Sequence, residues 1–456
     1  MQQNGESGTL LDWICDYLTD RKQRVIINGQ NSPWGSINAG VPQGSILGPL
    51  LFLIYINDIT HVVNHCQIRL FADDTCLYIT VDENHNLTAN LINEDIASVA
   101  TWASKWLVKF SPQKTEAMVK SNRSNKNDHP RCTFNNNLIN ETLQHMHLGV
   151  IFSSDLTWSA HIDSICKKAN KRLGLLKSLQ YRTDRHSLER LYIACILPVI
   201  EYADVIWAGS YEKDLEKLDS IHHKGARIVS GATERCSTNR LMEEVGWNSL
   251  LDRRRAHRLT LFYKIVNGKS PPYLQKLLPQ QRGQNVAYSL RATKNYNIMY
   301  ARLRHYTNSF IPHTVKEWNI LDESMKHFPT LEQFKKKIMP KKVINKNYYY
   351  GARQENISLS RTRVGCSKLN GDLCNNLHVI ESPLCKCGHA NENALHFFFH
   401  CHLYNHQRVI MLEKVSQITR VSLQILLHGR SVINDEENSK IMEAVHEYIK
   451  NTKRFI

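Results

Sequence analysis

The chain has 456 residues, 42% of them hydrophobic, and 58 Lys and Arg against 42 Asp and Glu give it a net charge of +16. That apolar share can build real cores and excludes a wholly disordered chain, while the length allows about two to four domains. The basic excess suits a polyanionic partner, because each neutralised phosphate releases condensed counterions.

Residues 1–8 lack a basic segment followed by an apolar run, so no secretory signal is expected there. Leu11, Ile14, Cys15 and Leu18 sit at helical spacing. Residues 24–28 alternate as a short strand and end at Asn28-Gly29, a hairpin signal. A loop of small residues over 40–48 leads into an apolar helix over 49–56. The run 46–56 is too short to span a membrane, and no membrane association is expected. Residues 68–71 and 76–81 are β-prone runs separated by Asp73-Asp74-Thr75, which predicts a tight hairpin.

A long amphipathic helix follows, stepping through Leu91, Asp95, Ile96, Val99, Ala103, Trp106 and Leu107. Residues 114–119 alternate as a strand, 120–130 read as a polar surface loop, and 148–152 form a further strand. Over 159–179, Ile162, Ile165, Cys166, Ala169, Leu173 and Leu176 make one helical face, with Lys167, Lys168, Lys171, Arg172 and Lys177 around it. Helices continue over 187–271, notably 188–197 and 215–229. Residues 275–345 are less periodic and end in the basic runs 335–337 and 341–342. A last unit runs from 350 to 456.

Twelve cysteines are spread along the chain, most standing singly among apolar neighbours, as Cys15, Cys76 and Cys195 do. They predict buried thiols in a reducing, intracellular setting (nuclear or cytoplasmic) and no disulfide framework.

Phe71-Ala72-Asp73-Asp74 carries the sharpest chemistry. Adjacent carboxylates at a strand end repel unless divalent ions lie against them, and Mg²⁺ favours carboxylate and phosphate oxygens. Two such ions about 3.5–4 Å apart hold the attacking and leaving oxygens of a phosphoryl displacement. Asp73 is the expected principal ligand, with Asp74 secondary. A plain turn is the alternative, since Asp favours hairpin loops. Upstream, the glycines and proline of residues 39–50 permit close backbone approach to a base or sugar, or simply cap the following helix. Asp12 and Asp16, one helical turn apart, read as a solvated face, and Asp58 as a cap or turn residue.

Residues 40–45, Gly-Val-Pro-Gln-Gly-Ser, followed by Phe71-Ala72-Asp73-Asp74, resemble the reverse transcriptases of non-LTR retrotransposons. Trp13, Tyr17-Leu18 and residues 21–25 are similar to the segment that precedes the loop in that family. Residues 107–118, with Lys114-Thr115-Glu116, are similar to its next motif. Leu148-Gly149-Val150, Leu156-Thr157-Trp158 and His161 resemble its primer-contacting region, and Pro198, Glu201-Tyr202 and Trp207 its helical thumb.

The resemblance implies an RNA-directed DNA polymerase acting on an RNA template, a DNA primer and deoxynucleoside triphosphates. It implies Asp73 and Asp74 as ligands of two Mg²⁺ ions and Pro42, Gln43, Gly44 and Ser45 along the incoming nucleotide and template, with Phe71 and Ala72 beside them. Lys114 would stand near the departing pyrophosphate, where a cation helps a developing anion; a solvated lysine is the alternative. The family's first catalytic aspartate lies upstream of the Trp13 segment, so this chain alone is expected to polymerise little. A catalytically inactive, nucleic-acid-binding relic of a transposable element is the rival reading.

Cys385-Lys386-Cys387-Gly388, His396 and Cys401 offer three thiols and an imidazole, a donor set that can close a tetrahedral Zn²⁺ site. His389, His400, His402 and Cys374 compete as ligands, and buried thiols beside an interior histidine are the alternative. A cluster of this shape, with Tyr404 and Arg408 beyond it, resembles the tail behind many such reverse transcriptases, where it would grip nucleic acid. The expected architecture is α+β. A truncated polymerase palm, an antiparallel sheet with helices, covers 1–155 and a mainly helical thumb 156–270. A basic connector covers 271–349 and a small, zinc-binding tail 350–456. Oligomeric state is left open.

Overall fold

The computed structural model describes residues 8–81, 85–121, 131–282, 295–340, 342, 344–430 and 432–455. The chain divides into two compact units, residues 1–145 and 146–456. The expected divisions at 270 and 349 fall within the second of these.

In the first unit, helix Thr9–Leu18 is followed by the ladder of Arg21–Gln23 with Gly35–Ile37 and by the hairpin Ile26–Ile27 with Gln30–Asn31. Asn28 and Gly29 both take positive φ, 49° and 79°, as a two-residue hairpin turn demands. Helix Leu47–Ile56 and helix His85–Lys105 flank the hairpin of Gln67–Phe71 with Asp74–Tyr78. Ile56, Ile59, Val99, Trp102 and Ala103 form the core beneath that hairpin, and Phe52, Ile68, Leu70 and Leu77 pack on it. The same long helix turns Ile96 into a second core with Phe134 and Ile139.

An antiparallel sheet was the expectation here. Among the described residues the strands form only two-stranded ladders, and that of Glu116–Ala117 with Asn140–Glu141 is parallel. Strands of two to five residues bury too little of either face to assemble further: Ile26 and Ile27 are both exposed. The loop expected over 120–130 lies largely outside the described residues.

The second unit is mostly helical. Helices Ser159–Ser178, Arg185–Leu191, Glu212–Ser230 and Thr238–Val245 share one core around the fully buried Trp207 and Tyr192, and Val364, Cys366 and Leu377 join it. The helix expected over 188–197 is interrupted by a π turn at Tyr192–Ile196, just ahead of Pro198, whose ring and missing N–H disturb the preceding turn. Helix Leu250–Val266 carries Leu259, Phe262 and Tyr263 into a separate core with Tyr296, Val315, Trp318 and Phe334. The poorly periodic stretch therefore holds the short helices Phe310–Ile320 and Leu331–Ile338, each anchored by single aromatics. A third core is built from Phe397, Phe398, Met411, Ile441, Val445 and Tyr448.

All the cysteines are free, as expected. The three singled out as buried are not: Cys15 and Cys195 are exposed and Cys76 is half-buried. Ile14 and Ile196, the apolar sequence neighbours of Cys15 and Cys195, turn to the core, and those two thiols, about 100° further round, fall outside the buried stripe. Asp12 and Asp16 are exposed, as a solvated face should be. No described helix is long and apolar enough to cross a membrane.

Two buried histidines of the second unit set a pH dependence. His222 accepts from the Tyr192 hydroxyl at 2.7 Å, faces the Asn248 carbonyl at 3.2 Å, and is pulled down to about 3 by burial. Burial pulls His446 down to about 4. Between those values and the ordinary 6.5 the unfolded chain binds more protons than the native one. Their contribution is therefore full above about pH 6.5 and is lost on acidification, at about 1.4 kcal/mol per pH unit for each imidazole. Urea unfolding midpoints at about pH 7.5 and about pH 5 check this, and equal midpoints would contradict it.

Candidate functional site

The hairpin that carries the aspartates is tighter than the sequence implies. Phe71 pairs with Asp74, so Ala72 and Asp73 alone make the turn, and Ala72 sits at φ 52°. Thr75 and Asp74 are strand residues, a correction to the expected three-residue separator. Cross-strand partners share a face, so Leu70 opposite Thr75 and Ile68 opposite Leu77 lie toward the core. Phe71 and Asp74 lie on the other face, with Asp73 at the tip. All of Phe71, Ala72, Asp73 and Asp74 are exposed. Two carboxylates, one from the tip and one from the first strand position, are available to solvent or to a cation.

The loop before helix Leu47–Ile56 is ordered by its own polar groups. Ser45 Oγ donates to the Pro42 carbonyl at 2.8 Å and accepts from the Gly48 amide at 2.9 Å. A Cβ at Gly48 would stand 2.8 Å from that same carbonyl, so the turn requires glycine there. Gly44 takes φ 85°, a second glycine-only position. Arg21, from the segment upstream, donates to the carbonyls of Ala39 at 3.2 Å and Gly40 at 2.6 Å. The effect is to present Gln43 and Gly44 outward while Pro42 and Ser45 are partly covered. Arg21 had no signal in sequence beyond its place in the upstream segment.

Lys114 is exposed and closes a turn, its amide donating to the Ser111 carbonyl at 3.1 Å. It precedes the strand Glu116–Ala117 and does not open it, as had been expected. Loop and hairpin are anchored on one core, through Ile56 and Phe52 on one side and Ile68, Leu70 and Leu77 on the other. Phe110, just before the Lys114 turn, packs on the same core. Among the described residues, no hydrogen bond or ion pair joins Lys114, the loop and the aspartates to one another.

Behind this surface, buried Asp95 accepts from the amides of Asn64, His65 and Cys66 at 2.9, 2.9 and 2.6 Å. Burial pushes its carboxyl up, but those three donors hold it below the usual range. Asp58 accepts from the Trp102 indole at 3.0 Å, a tertiary contact added to its place in the turn Asn57–His61.

In the second unit, residues singled out in sequence meet. Gly149 and Leu148 take positive φ, and the Tyr202 hydroxyl donates to the Leu148 carbonyl at 2.8 Å. His161 Nδ1 accepts from the Ile151 amide at 3.2 Å, burial pulls the imidazole below its ordinary value, and its ring lies edge-on to Trp207, whose indole donates to the Tyr202 carbonyl.

Cys385, Cys387, His396 and Cys401 come together with all four donor atoms within 4.8 Å of one another. The Cys385 and Cys401 sulfurs are 3.6 Å apart, and Cys387 Sγ is 3.3 Å from His396 Nε2. Tetrahedral ligands at about 2.3 Å from one ion stand about 3.8 Å from each other, so a group spaced like this one could hold a metal ion. Gly388, at φ 78°, closes the turn by donating to the Cys385 carbonyl at 2.9 Å. Asn393 accepts from the His396 amide at 2.8 Å and so fixes the turn His396–His400. Burial pushes Cys385 up to about 12, a cost that a bound dication would offset. The competing ligands stand outside: Cys374 donates to the Glu381 carbonyl, and His389 packs against His402.

Around this group lies a shell that sequence reading missed. Buried Glu392 accepts from Arg454 and from the Asn370 amide, and Arg408 donates to the carbonyls of Phe399 and Cys401. Arg454 and Glu392 are 62 residues apart, too far to be paired by spacing.

Residues 4–152 match the family model described as reverse transcriptase (RNA-dependent DNA polymerase). That stretch is a reverse transcriptase domain, and its relatives place it among those of non-LTR retrotransposons. The chain is 28% identical over 243 residues to the RNA-directed DNA polymerase from mobile element jockey of Drosophila funebris, covering 50% of this chain and 25% of that protein. It is 24% identical over 227 residues to the probable RNA-directed DNA polymerase from transposon BS of Drosophila melanogaster, and 25% identical over 226 to that from transposon X-element of the same fly. The matches thus span about a quarter of the length of these relatives, 25% and 24% in the last two.

Proposed function

We propose that the first unit is the palm portion of an RNA-directed DNA polymerase and that the helices after residue 156 serve as its thumb, on an RNA template paired to a DNA primer. The observation that carries this is the exposed Asp73–Asp74 pair at a two-residue hairpin tip, on the core that also positions the loop of Pro42, Gln43, Gly44 and Ser45. Asp73 and Asp74 would hold Mg²⁺, which when bound activates a primer hydroxyl and steadies the departing pyrophosphate. Gln43 and Gly44 would lie along the nucleotide and template strand. Lys114 would offer its cation to the triphosphate. The tail's Cys385, Cys387, His396 and Cys401 would hold Zn²⁺ as a structural ion, beside a surface that grips nucleic acid.

Mn²⁺ titration read by electron paramagnetic resonance, with and without a recessed RNA–DNA primer–template, tests the reading. Asp73→Asn is expected to weaken metal binding by about tenfold or more, while Asp12→Asn leaves it unchanged. Equal metal binding in wild type and Asp73→Asn would overturn it. Failure of the chain to bind a recessed primer–template duplex at low salt would do so as well.

A further inference from the structure

A cavity of about 130 Å³ in the second unit lies between Tyr181, Gln354, Ser358 and Arg361, with Lys368 at its rim and Phe455 buried against it. Its charge is one-sided, because no carboxylate is among the lining residues. Arg361 gives Nε to the Gly231 carbonyl at 2.7 Å. Arg353, about two turns earlier on the same helix and outside the lining, gives its three nitrogens to the carbonyls of Gln180, Val229 and Ile228 at 2.8–2.9 Å. Carbonyl partners fix a guanidinium in place without cancelling its charge. Lys368 is exposed and has no ion pair among the described residues. Tyr181 leaves 65% of its surface open although it lines the cavity.

Uncompensated cations beside an open aromatic face select a ligand with a negative group and a flat ring. We propose that this cavity receives one unpaired nucleotide, its base against Tyr181 and its phosphate on Arg361 and Lys368. At about 130 Å³ the cavity is smaller than the roughly 300–1,000 Å³ of sites that enclose an organic ligand, so it takes the phosphate while the base lies on the open face of Tyr181. Gln354 offers an amide that can donate to and accept from a base edge. A nucleotide within a strand and a free nucleoside monophosphate share this chemistry. The choice of a strand rests on the polymerase reading above; the cavity's own chemistry does not.

The test uses the full chain and a labelled single-stranded oligouridylate, followed by fluorescence anisotropy at near-physiological salt, with uridine monophosphate as competitor. Thermal melts confirm that each variant folds. Tyr181→Ala and Lys368→Glu are each expected to weaken binding by about tenfold, the size of one lost base stack or phosphate contact. Lys337→Glu, the same charge change on an exposed helix of the same unit, should cost less than about twofold. Displacement by millimolar monophosphate assigns the site to free nucleotide, and resistance to it assigns the site to a strand. Unchanged binding in Tyr181→Ala overturns the cavity and leaves the polymerase reading intact, as does equal loss in Lys337→Glu and Lys368→Glu. Tyr181-dependent binding of the monophosphate with no oligonucleotide binding upholds the cavity and counts against the polymerase reading.

Discussion

Cys401→Ser is expected to abolish stoichiometric zinc and to loosen the C-terminal core, with a large loss of stability. The four donors are drawn from two pieces of chain that have little else in common. Cys385 and Cys387 stand on the turn closed by the Leu384–Asn391 bridge, and His396 and Cys401 on and just after a single π turn. Without a dication, Cys385 and Cys401 are buried thiols facing each other at 3.6 Å, and burial opposes their ionisation. With one, the thiolates are compensated and the two pieces are tied. Structural zinc contributes about 10–16 kcal/mol of binding free energy in small domains, and losing one thiolate forfeits a large part of that. The unit keeps an apolar core of its own at Phe397, Phe398, Val445 and Tyr448, so the expected result is partial unfolding. Metal content by mass spectrometry, with melting curves before and after a strong chelator, decides the matter. About one zinc per chain and a chelator-sensitive transition are expected. A metal-free protein whose melting is the same with and without chelator would sink the idea.

That cluster was legible in sequence because its ligands lie close along the chain and the glycine between them marks a turn. The Asp73–Asp74 hairpin and the Pro42–Gly44 loop were legible for the same reason: local turn chemistry fixes both. Reading failed where distant residues decide. The stretch around Trp318 and Phe334 looked irregular because short helices contribute one or two anchors each, and their partners Phe262 and Tyr263 belong to a helix far upstream. The exposure of Cys15 and Cys195 depends on which side of a helix meets the core, a tertiary fact. Arg21 reaching back to Gly40 and Arg454 reaching Glu392 are likewise pairings that periodicity does not encode.

The ion cluster at Glu244 belongs to that same hidden class, and its removal is expected to destabilise the second unit by about 3–5 kcal/mol. Glu244 is buried, and its carboxylate takes Arg185 Nη1 at 2.6 Å, Arg363 Nη2 at 2.6 Å and Arg363 Nε at 2.9 Å. Arg185 also donates to the Glu244 carbonyl, and the Arg363 guanidinium lies 4.0 Å over the Tyr348 ring. Burial pushes the carboxyl up, but Arg363 and Arg185 together overcome it and hold the group down to about 2. Because the folded value is depressed from 4.5, this stabilisation is present above about pH 4.5 and fades as pH falls toward 2. The triad joins helices Arg185–Leu191, Thr238–Val245 and Arg353–Val364, and the last of these sends Val364 into one core and Leu359 into another. Glu244→Ala strands two guanidiniums in a dry site, where each loses its counter-ion and repels the other. Replacing all three residues by apolar ones of similar size removes charge and partner together, and should recover most of the loss. Urea unfolding at neutral pH measures both variants against wild type. A Glu244→Ala cost below about 1 kcal/mol, or a triple variant no better than the single one, would show that the charges are not what couples these helices.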